Sequence, residues 1–340
     1  MLKYVLTVAA GFWCVAAHGM PFDQTYWIAI SAGVVKIEVS RSGGYSLGTG
    51  VVIDRGQVVT ACHVLRGGSR VAVLYAGVRH GASVRTVSAE HDICLLQVSR
   101  LEAPPALLRP TSQLAIGEDV GAIGFSAGAG IHHAHGTVDR LHRYDEGIVV
   151  QGSAAFTSGA SGGGLFDADK RLVGILMFRM RGAGGQFFSA PVEWISSEVI
   201  RNGGQSMGPE IAEISGEPFW SRSPERLPYF MRANLLMSEQ RWDELQALLP
   251  QWQLDDPASA EPAYLTGELD SRRGRTELAL IDYREAVARD PSHALAWDGL
   301  VRASIHAQEL DAARQAYVKL TTLSSVLSSR VASEFPEVLK

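Results

Sequence analysis

The sequence predicts two unlike domains in tandem: an all-β domain of sandwich or barrel type, then an all-α array of helical repeats. Three observations predict it. From about residue 24 to 200, short apolar runs are broken by glycine-rich turns, the grammar of many short strands. Beyond about residue 228 the composition turns to Ala, Leu, Glu, Arg and Gln and repeats at a period of 34. At 340 residues, 46% of them hydrophobic, the chain can bury two cores. The 20% charged content excludes a disordered chain, and three cysteines exclude a disulfide-dense mini-scaffold. A net charge of −5 lacks the basic footprint of a nucleic-acid binder.

The first element is a leader. Lys3 makes a minimal positive region, Tyr4 to Ala16 is apolar, and small residues follow at Ala16, Ala17 and Gly19, as signal peptidase requires. Cleavage is expected after Ala17 or Gly19. The apolar stretch is short for a membrane span, and Cys14 follows Gly11-Phe12-Trp13, which is not a lipoprotein box. Export to a periplasm or medium is expected, with no membrane insertion after cleavage. Loss of Lys3 and Cys14 takes the charge to −6 and leaves Cys62 and Cys94.

Strands are expected at Val34 to Val39, Gly50 to Ile53, Val71 to Tyr75 and Leu172 to Leu176. Turns are expected at Ser42-Gly43-Gly44, Arg66-Gly67-Gly68 and Asp167-Ala168-Asp169. Pro191 to Arg201 reads as a helix closed by Gly203-Gly204. The expected organisation is a leader at 1–19, a β domain at 20–205, a linker at 206–227, repeats at 228–325 and a tail at 326–340.

In the helical half Asp256-Pro257 returns as Asp290-Pro291. Leu245, Ala279 and Ala313 align, as do Leu249, Tyr283 and Tyr317, and Asp243, Glu277 and Asp311. Trp297 and Leu300 take the early aromatic and Leu positions of the last repeat. The pattern resembles tetratricopeptide repeats, in which small residues let two helices approach, large ones fill the gap and Pro ends the second helix. Ala263 and Ser325 depart from it, at an aromatic and a Pro position. The alternative is an unrelated helical bundle. Met20 to Gln205 carries net +1 and Ser206 to Lys340 net −7, so the helical face is acidic. That charge suits basic peptides or simply solvates the surface.

Three segments carry chemistry: Val59 to Leu65 around His63, His91 to Val98 around Asp92, and Thr157 to Phe166 around Ser161. A serine hydroxyl needs a base to become a nucleophile, and histidine suits that role near neutral pH. A buried carboxylate fixes the imidazole tautomer. Glycines around Ser161 let backbone N–H groups converge on one oxyanion. An α/β-hydrolase reading of Gly159-Ala160-Ser161-Gly162-Gly163 fails, because there the serine precedes the acid and histidine.

The order His63, Asp92, Ser161, together with Thr60-Ala61-Cys62-His63-Val64, Asp92-Ile93-Cys94-Leu95-Leu96 and Gly159-Ala160-Ser161-Gly162-Gly163, resembles the trypsin-like serine proteases. Ala154-Ala155-Phe156, Gly48-Thr49-Gly50 and Phe188-Ser189-Ala190-Pro191 are similar to motifs of their HtrA (Deg) branch. The resemblance covers about residues 30–200. It implies a double six-stranded β-barrel with the site between barrels. It also implies His63 as general base, Asp92 as its orienting partner, Ser161 as nucleophile, and the Gly159 and Ser161 N–H groups as oxyanion hole. Protein or peptide substrates and no cofactor or metal follow. HtrA members usually carry a PDZ domain, whose place the helical repeats take here.

Two departures stand out. Ala160 replaces the usual Asp or Asn, and Gly164 replaces a common Pro, which suggests added flexibility. The chain also lacks an Ile-Val-Gly-Gly start, so activation by insertion of a new N-terminus is not expected. Ala155, six residues before Ser161, falls at the base of the family's S1 pocket, with Leu176 and Met177 as walls by alignment. With no Asp there, a small or medium apolar P1 residue is expected rather than Lys or Arg.

Cys62 adjoins His63 and Cys94 lies two beyond Asp92, so the sulfurs come close if acid and base meet. A disulfide and two buried thiols both remain open. His132, His133 and His135 lack a carboxylate or cysteine motif to complete a metal site and are expected to be structural or solvent-facing. The expected function is an exported serine endopeptidase whose repeats recruit a partner or substrate. The alternative is a catalytically silent protease-fold scaffold that binds proteins in the cell envelope, which Ala160 and Gly164 keep open.

Overall fold

Residues alternating between apolar and polar, the two-residue period of a strand with one buried face, close into two barrels. This is seen in the computed structural model, which describes residues 22–126, 130–180, 185–195, 210–211 and 213–337. The first barrel comprises β1 (Val34–Arg41), β2 (Gly44–Asp54), β3 (Gln57–Ala61), β4 (Arg70–Tyr75), β5 (Val78–Ser88) and β6 (Ile93–Val98), in the order β1-β2-β3-β6-β5-β4. The second comprises β7 (Asp119–Phe125), β8 (Ile131–Tyr144), β9 (Gly147–Gly152), β10 (Gly164–Asp167), β11 (Leu172–Met180) and β12 (Gln186–Pro191), in the order β10-β11-β12-β9-β8-β7. Closure leaves neither sheet an unpaired edge. Val35, Ile37, Val52, Val58 and Leu96 fill the first barrel. Val120, Val138, Val150, Leu165 and Leu176 fill the second. The double barrel expected from the sequence is the fold observed.

A helix not anticipated from the sequence, α1 (Gln24–Ser31), packs against the outer face of the second barrel. Asp23 caps it by accepting from Tyr26 N at 2.8 Å, and the Tyr26 hydroxyl donates to Asp167 O at 2.9 Å. Trp27 stacks on His133 at 4.1 Å between ring centroids, and His135 pairs with Asp119 at 2.8 Å. These two histidines therefore have structural partners. The expected leader and Cys14 lie outside the described residues. So does most of the expected helix Pro191 to Arg201, of which residues 192–195 are helical.

The C-terminal half contains, among the described residues, α3 (Tyr229–Ser238), α4 (Trp242–Asp255), α5 (Glu261–Arg272), α6 (Thr276–Arg289), α7 (Ala294–His306), α8 (Leu310–Leu323) and α9 (Ser325–Glu334). Helices α4, α6 and α8 each run fourteen residues and begin at Trp242, Thr276 and Leu310, in step with the sequence repeat. Tyr283 of α6 shows the packing. A Cβ on Gly267 of α5 would lie 2.8 Å from the Tyr283 ring, and one on Gly299 of α7 would lie 2.5 Å from it. The two glycines make the slot that the tyrosine fills.

Two sequence expectations need revision here. The segment taken as a tail at 326–340 begins as α9. Ser324 caps that helix through Leu327 N and donates to Ile116 O at 2.6 Å, while Val331 is fully buried. The segment taken as a linker at 206–227 is, in its described part, docked. Phe219 has no exposure and packs against Tyr144, Phe178, Trp194 and Phe230. Both stretches lack periodicity, and their anchors are single side chains that a pattern search does not register.

The array seats on the second barrel through a buried polar cluster. Gln151 Oε1 accepts from His142 Nε2 at 2.8 Å and from Asn234 Nδ2 at 3.0 Å, and His142 stacks on Phe230 at 4.6 Å. The His142 Nδ1 atom has no partner among the described residues, so the ring is neutral. Loss of water pushes the His142 pKa down to about 4; Glu261 opposes that shift and Arg140 adds to it. The unfolded chain, with an ordinary histidine pKa of about 6.5, then binds more protons than the folded one between about pH 4 and 6.5. Stability is expected to fall as pH drops through that window, by up to roughly 3 kcal/mol from this group. Urea midpoints measured from pH 7 to 4 should show a shallower decline in His142→Phe than in the parent; parallel declines would refute the assignment.

Candidate active site

The site begins with a carboxylate that has to be satisfied inside protein. Asp92 sits in the turn between β5 and β6 at φ 59°, and it is 1% exposed. A left-handed backbone is unfavourable for a non-glycine residue by roughly 1–2 kcal/mol, and a buried carboxylate needs donors. Both demands are met from the short helix α2 (Cys62–Leu65) that follows β3. Cys62 N donates to Asp92 O at 3.0 Å and His63 N donates to Asp92 Oδ1 at 2.8 Å. His63 Nδ1 donates to Asp92 Oδ2 at 2.6 Å. An ionised carboxylate only accepts, so Nδ1 carries the proton and Nε2 keeps its lone pair. Cys62 and Cys94 bracket this pair as a disulfide with S–S 2.04 Å and Cα–Cα 4.9 Å. A further donor, Trp220 Nε1, reaches Asp92 Oδ2 at 3.2 Å from the docked segment beyond both barrels.

Ser161 lies in the loop between β9 and β10. Ala160 N donates to Thr157 O at 3.0 Å, and Gly163 N donates to Ala160 O at 2.8 Å. Gly159 and Gly162 adopt φ 96° and 82°, conformations open to glycine. Thr49 of β2 ties this loop to the first barrel. Its N donates to Ser161 O at 2.9 Å and its Oγ1 to Gly159 O at 2.7 Å, while its own O accepts from Thr60 Oγ1 at 2.6 Å. A Cβ on Gly162 would lie 2.2 Å from Thr49 O and 2.8 Å from Ala61 N, so the loop carrying Ser161 presses on the strand end that leads to His63. The Gly159 and Ser161 N–H groups donate to no acceptor among the described residues.

This packing accounts for both departures. Ala160 is buried, and a Cβ on Gly124 would lie 2.9 Å from its Cα. The loop is thus ordered by Thr49 and an apolar contact rather than by a charged residue. Gly164 is not a flexible point. It pairs with Ile123 and Ile175 at the start of β10, and a Cβ there would lie 2.3 Å from the Phe166 ring.

The three S1 candidates divide. Leu176 N and O bond Gly163 O and Gly162 N, both at 2.8 Å, and Ser161 Oγ lies 3.5 Å from Met177 O. That strand therefore borders the serine through its backbone, while the Leu176 and Met177 side chains are buried in the cores. Ala155 is exposed. Thr49, Trp220 and Glu90, whose carbonyl accepts from Phe219 N at 3.0 Å, escaped the sequence reading. Thr49 stands inside the Gly48-Thr49-Gly50 motif and was the one with a signal.

Residues 48–175, which include His63, Asp92 and Ser161, match the trypsin-like peptidase domain. The chain is 31% identical over 173 residues to the periplasmic serine endoprotease DegP of Salmonella typhimurium, covering 46% of this chain and 36% of that one. It is 32% identical over 170 residues to Protease Do-like 1, chloroplastic, of Arabidopsis thaliana, covering 45% and 38%. It is 28% identical over 177 residues to a probable periplasmic serine endoprotease DegP-like protein of Buchnera aphidicola subsp. Baizongia pistaciae, covering 48% and 38%. The chain thus spans well under half the length of these relatives. Among solved structures, the active form of the Rv3671c protease of M. tuberculosis shares the fold, with TM-score 0.50, 23% identity, and coverage of 56% of this chain and 89% of that one.

The disulfide closes a loop of sequence separation 32, for which chain entropy gives about 3–4 kcal/mol of stabilisation. Alkylation of the unfolded, unreduced protein should leave Cys62 and Cys94 unlabelled, and reduction should expose both. Labelling before reduction would refute the bond.

Proposed function

We propose that the protein is an exported serine endopeptidase that cleaves peptide bonds through His63, Asp92 and Ser161. The single observation that carries the reading is the His63 Nδ1–Asp92 Oδ2 hydrogen bond at 2.6 Å; among the described residues the Gly159 and Ser161 N–H groups have no acceptor. In the first step His63 Nε2 takes the Ser161 hydroxyl proton as Oγ adds to the substrate carbonyl carbon. The negative charge on the former carbonyl oxygen is met by the two N–H groups. Imidazolium, stabilised by Asp92, then gives its proton to the leaving amine as the C–N bond breaks. Water repeats the sequence on the acyl-enzyme and releases the acid.

The packed environments of Ala160 and Gly164 support an ordered serine loop over a silent scaffold. Export is supported by the leader-like residues 1–19 and by relatives named as periplasmic; among the described residues no helix is long and apolar enough to cross a membrane. Recruitment by the helical array rests on its seat beside the second barrel. There a cavity of about 730 Å³, lined by Arg140, Tyr229, Trp252, Glu261 and His293 among others, offers mixed apolar and charged contacts to a chain segment. Tethering a substrate there would raise its effective concentration at Ser161.

A fluorophosphonate probe should form an adduct on Ser161, mapped by peptide mass spectrometry and absent in Ser161→Ala and His63→Ala. No adduct in the folded parent protein would overturn the reading. With activity in hand, a peptide library should show cleavage after small or medium apolar residues at least tenfold faster than after Lys or Arg, a difference of about 1.4 kcal/mol; preference for a basic P1 would reject the pocket assignment.

A further inference from the structure

We propose that Trp220, which lies beyond both barrels in the segment leading into the helical array, is a positioning residue of the protease site. Its indole N–H completes the hydrogen bonding of Asp92, and its ring fixes the place of His63. The inference rests on the serine-protease reading above.

The geometry is specific. Asp92 Oδ2 accepts from His63 Nδ1 and from Trp220 Nε1, while Oδ1 accepts from His63 N. Among the described residues no other side chain from either barrel donates to Oδ2. A carboxylate held only through the histidine can rotate about Cβ–Cγ together with the imidazole; a donor from a third direction blocks that motion. The Trp220 ring meets the His63 ring edge-on, with centroids 5.4 Å apart and planes at 86°. Its face stacks on Phe178 at 5.1 Å and 19°. Phe178 follows Met177, whose carbonyl borders Ser161, so one indole touches acid, base and the strand beside the nucleophile.

The segment is gripped where it delivers that indole. Phe219 N donates to Glu90 O at 3.0 Å, Tyr144 OH donates to Glu90 Oε1 at 3.0 Å, and Arg222 pairs with the Glu90 carboxylate. Glu90 is two residues before Asp92, so the turn carrying the acid is held by the second barrel and by the docked segment together. Phe219 continues the contact to Phe230 at the start of α3. The acid's hydrogen bonding is therefore complete only while the chain leading to the array is seated.

The test uses the full chain and the variant Trp220→Phe, which keeps a ring against Phe178 and removes the N–H. The rate of fluorophosphonate labelling at Ser161 is expected to fall about tenfold, with kcat on a peptide substrate falling alike and KM unchanged. The melting temperature should stay near that of the parent. In proton NMR the low-field resonance of the His63 Nδ1–H proton should move or broaden. Labelling at the parental rate with an unmoved resonance would overturn the proposal. So would a loss of rate that tracks a loss of folded protein, because that is a merely structural effect. If the parent itself takes no label, the endopeptidase reading fails, and the resonance still decides: moved in Trp220→Phe, the positioning role stands; identical in both proteins, it falls.

Discussion

The site depends on burying one negative charge. A carboxylate at 1% exposure is tolerable only where donors surround it, and every donor to Asp92 has to arrive from somewhere else in the chain. Two come from His63, one from the Trp220 indole, and Cys62 adds a bond to the Asp92 carbonyl. The left-handed backbone at Asp92 turns both its carbonyl and its side chain toward α2. The disulfide beside it ties α2, which carries His63, to β6, which follows Asp92. Local strain is thereby offset by a set of contacts that the strain itself makes possible.

The second requirement is that two closed barrels keep a fixed relation. Each barrel satisfies its own ladder and needs nothing from the other. The junction is therefore held by a few side chains at barrel rims. Thr49 is the most connected of them. Its backbone and hydroxyl bond the loop that carries Ser161, while Thr60, near His63, bonds Thr49 in return. The close approach at Gly162 adds a steric stop, since any side chain there would meet Thr49 and Ala61. Hydrogen bonds and close packing from the first barrel thus hold the loop that carries Ser161.

Much of this was legible in the sequence. Strand and helix periods differ enough that the two domains separate on sight, and the helix starts at Trp242, Thr276 and Leu310 keep the spacing that Asp243, Glu277 and Asp311 show. His63, Asp92 and Ser161 stand in contexts short enough to be read locally. What escaped is long-range and individual. Helix α1 has no strong apolar stripe, and its role comes from Tyr26 and Trp27 reaching the second barrel. The stretch before α3 is aperiodic because single aromatic side chains, not a repeating face, hold it down. Leu176 and Met177 run beside the serine through their backbone, and sequence alone does not distinguish that from side chains lining a pocket.

Helix α9 and the Phe219–Trp220 pair carry a consequence for where this protein's natural unit ends. The span that matches the trypsin-like peptidase domain stops at residue 175, inside β11. Beyond it lie β12, which joins β11 to β9, the indole donor to the acid, and the serine cap that fastens the last helix to the second barrel. A boundary drawn by similarity cuts through covalent neighbours that the folded molecule treats as one body. For recombination between genes, the smallest piece that travels intact is then larger than the piece by which kinship is recognised. A cut at the recognised edge separates parts that depend on each other: β11 from β12, and Asp92 from its indole donor.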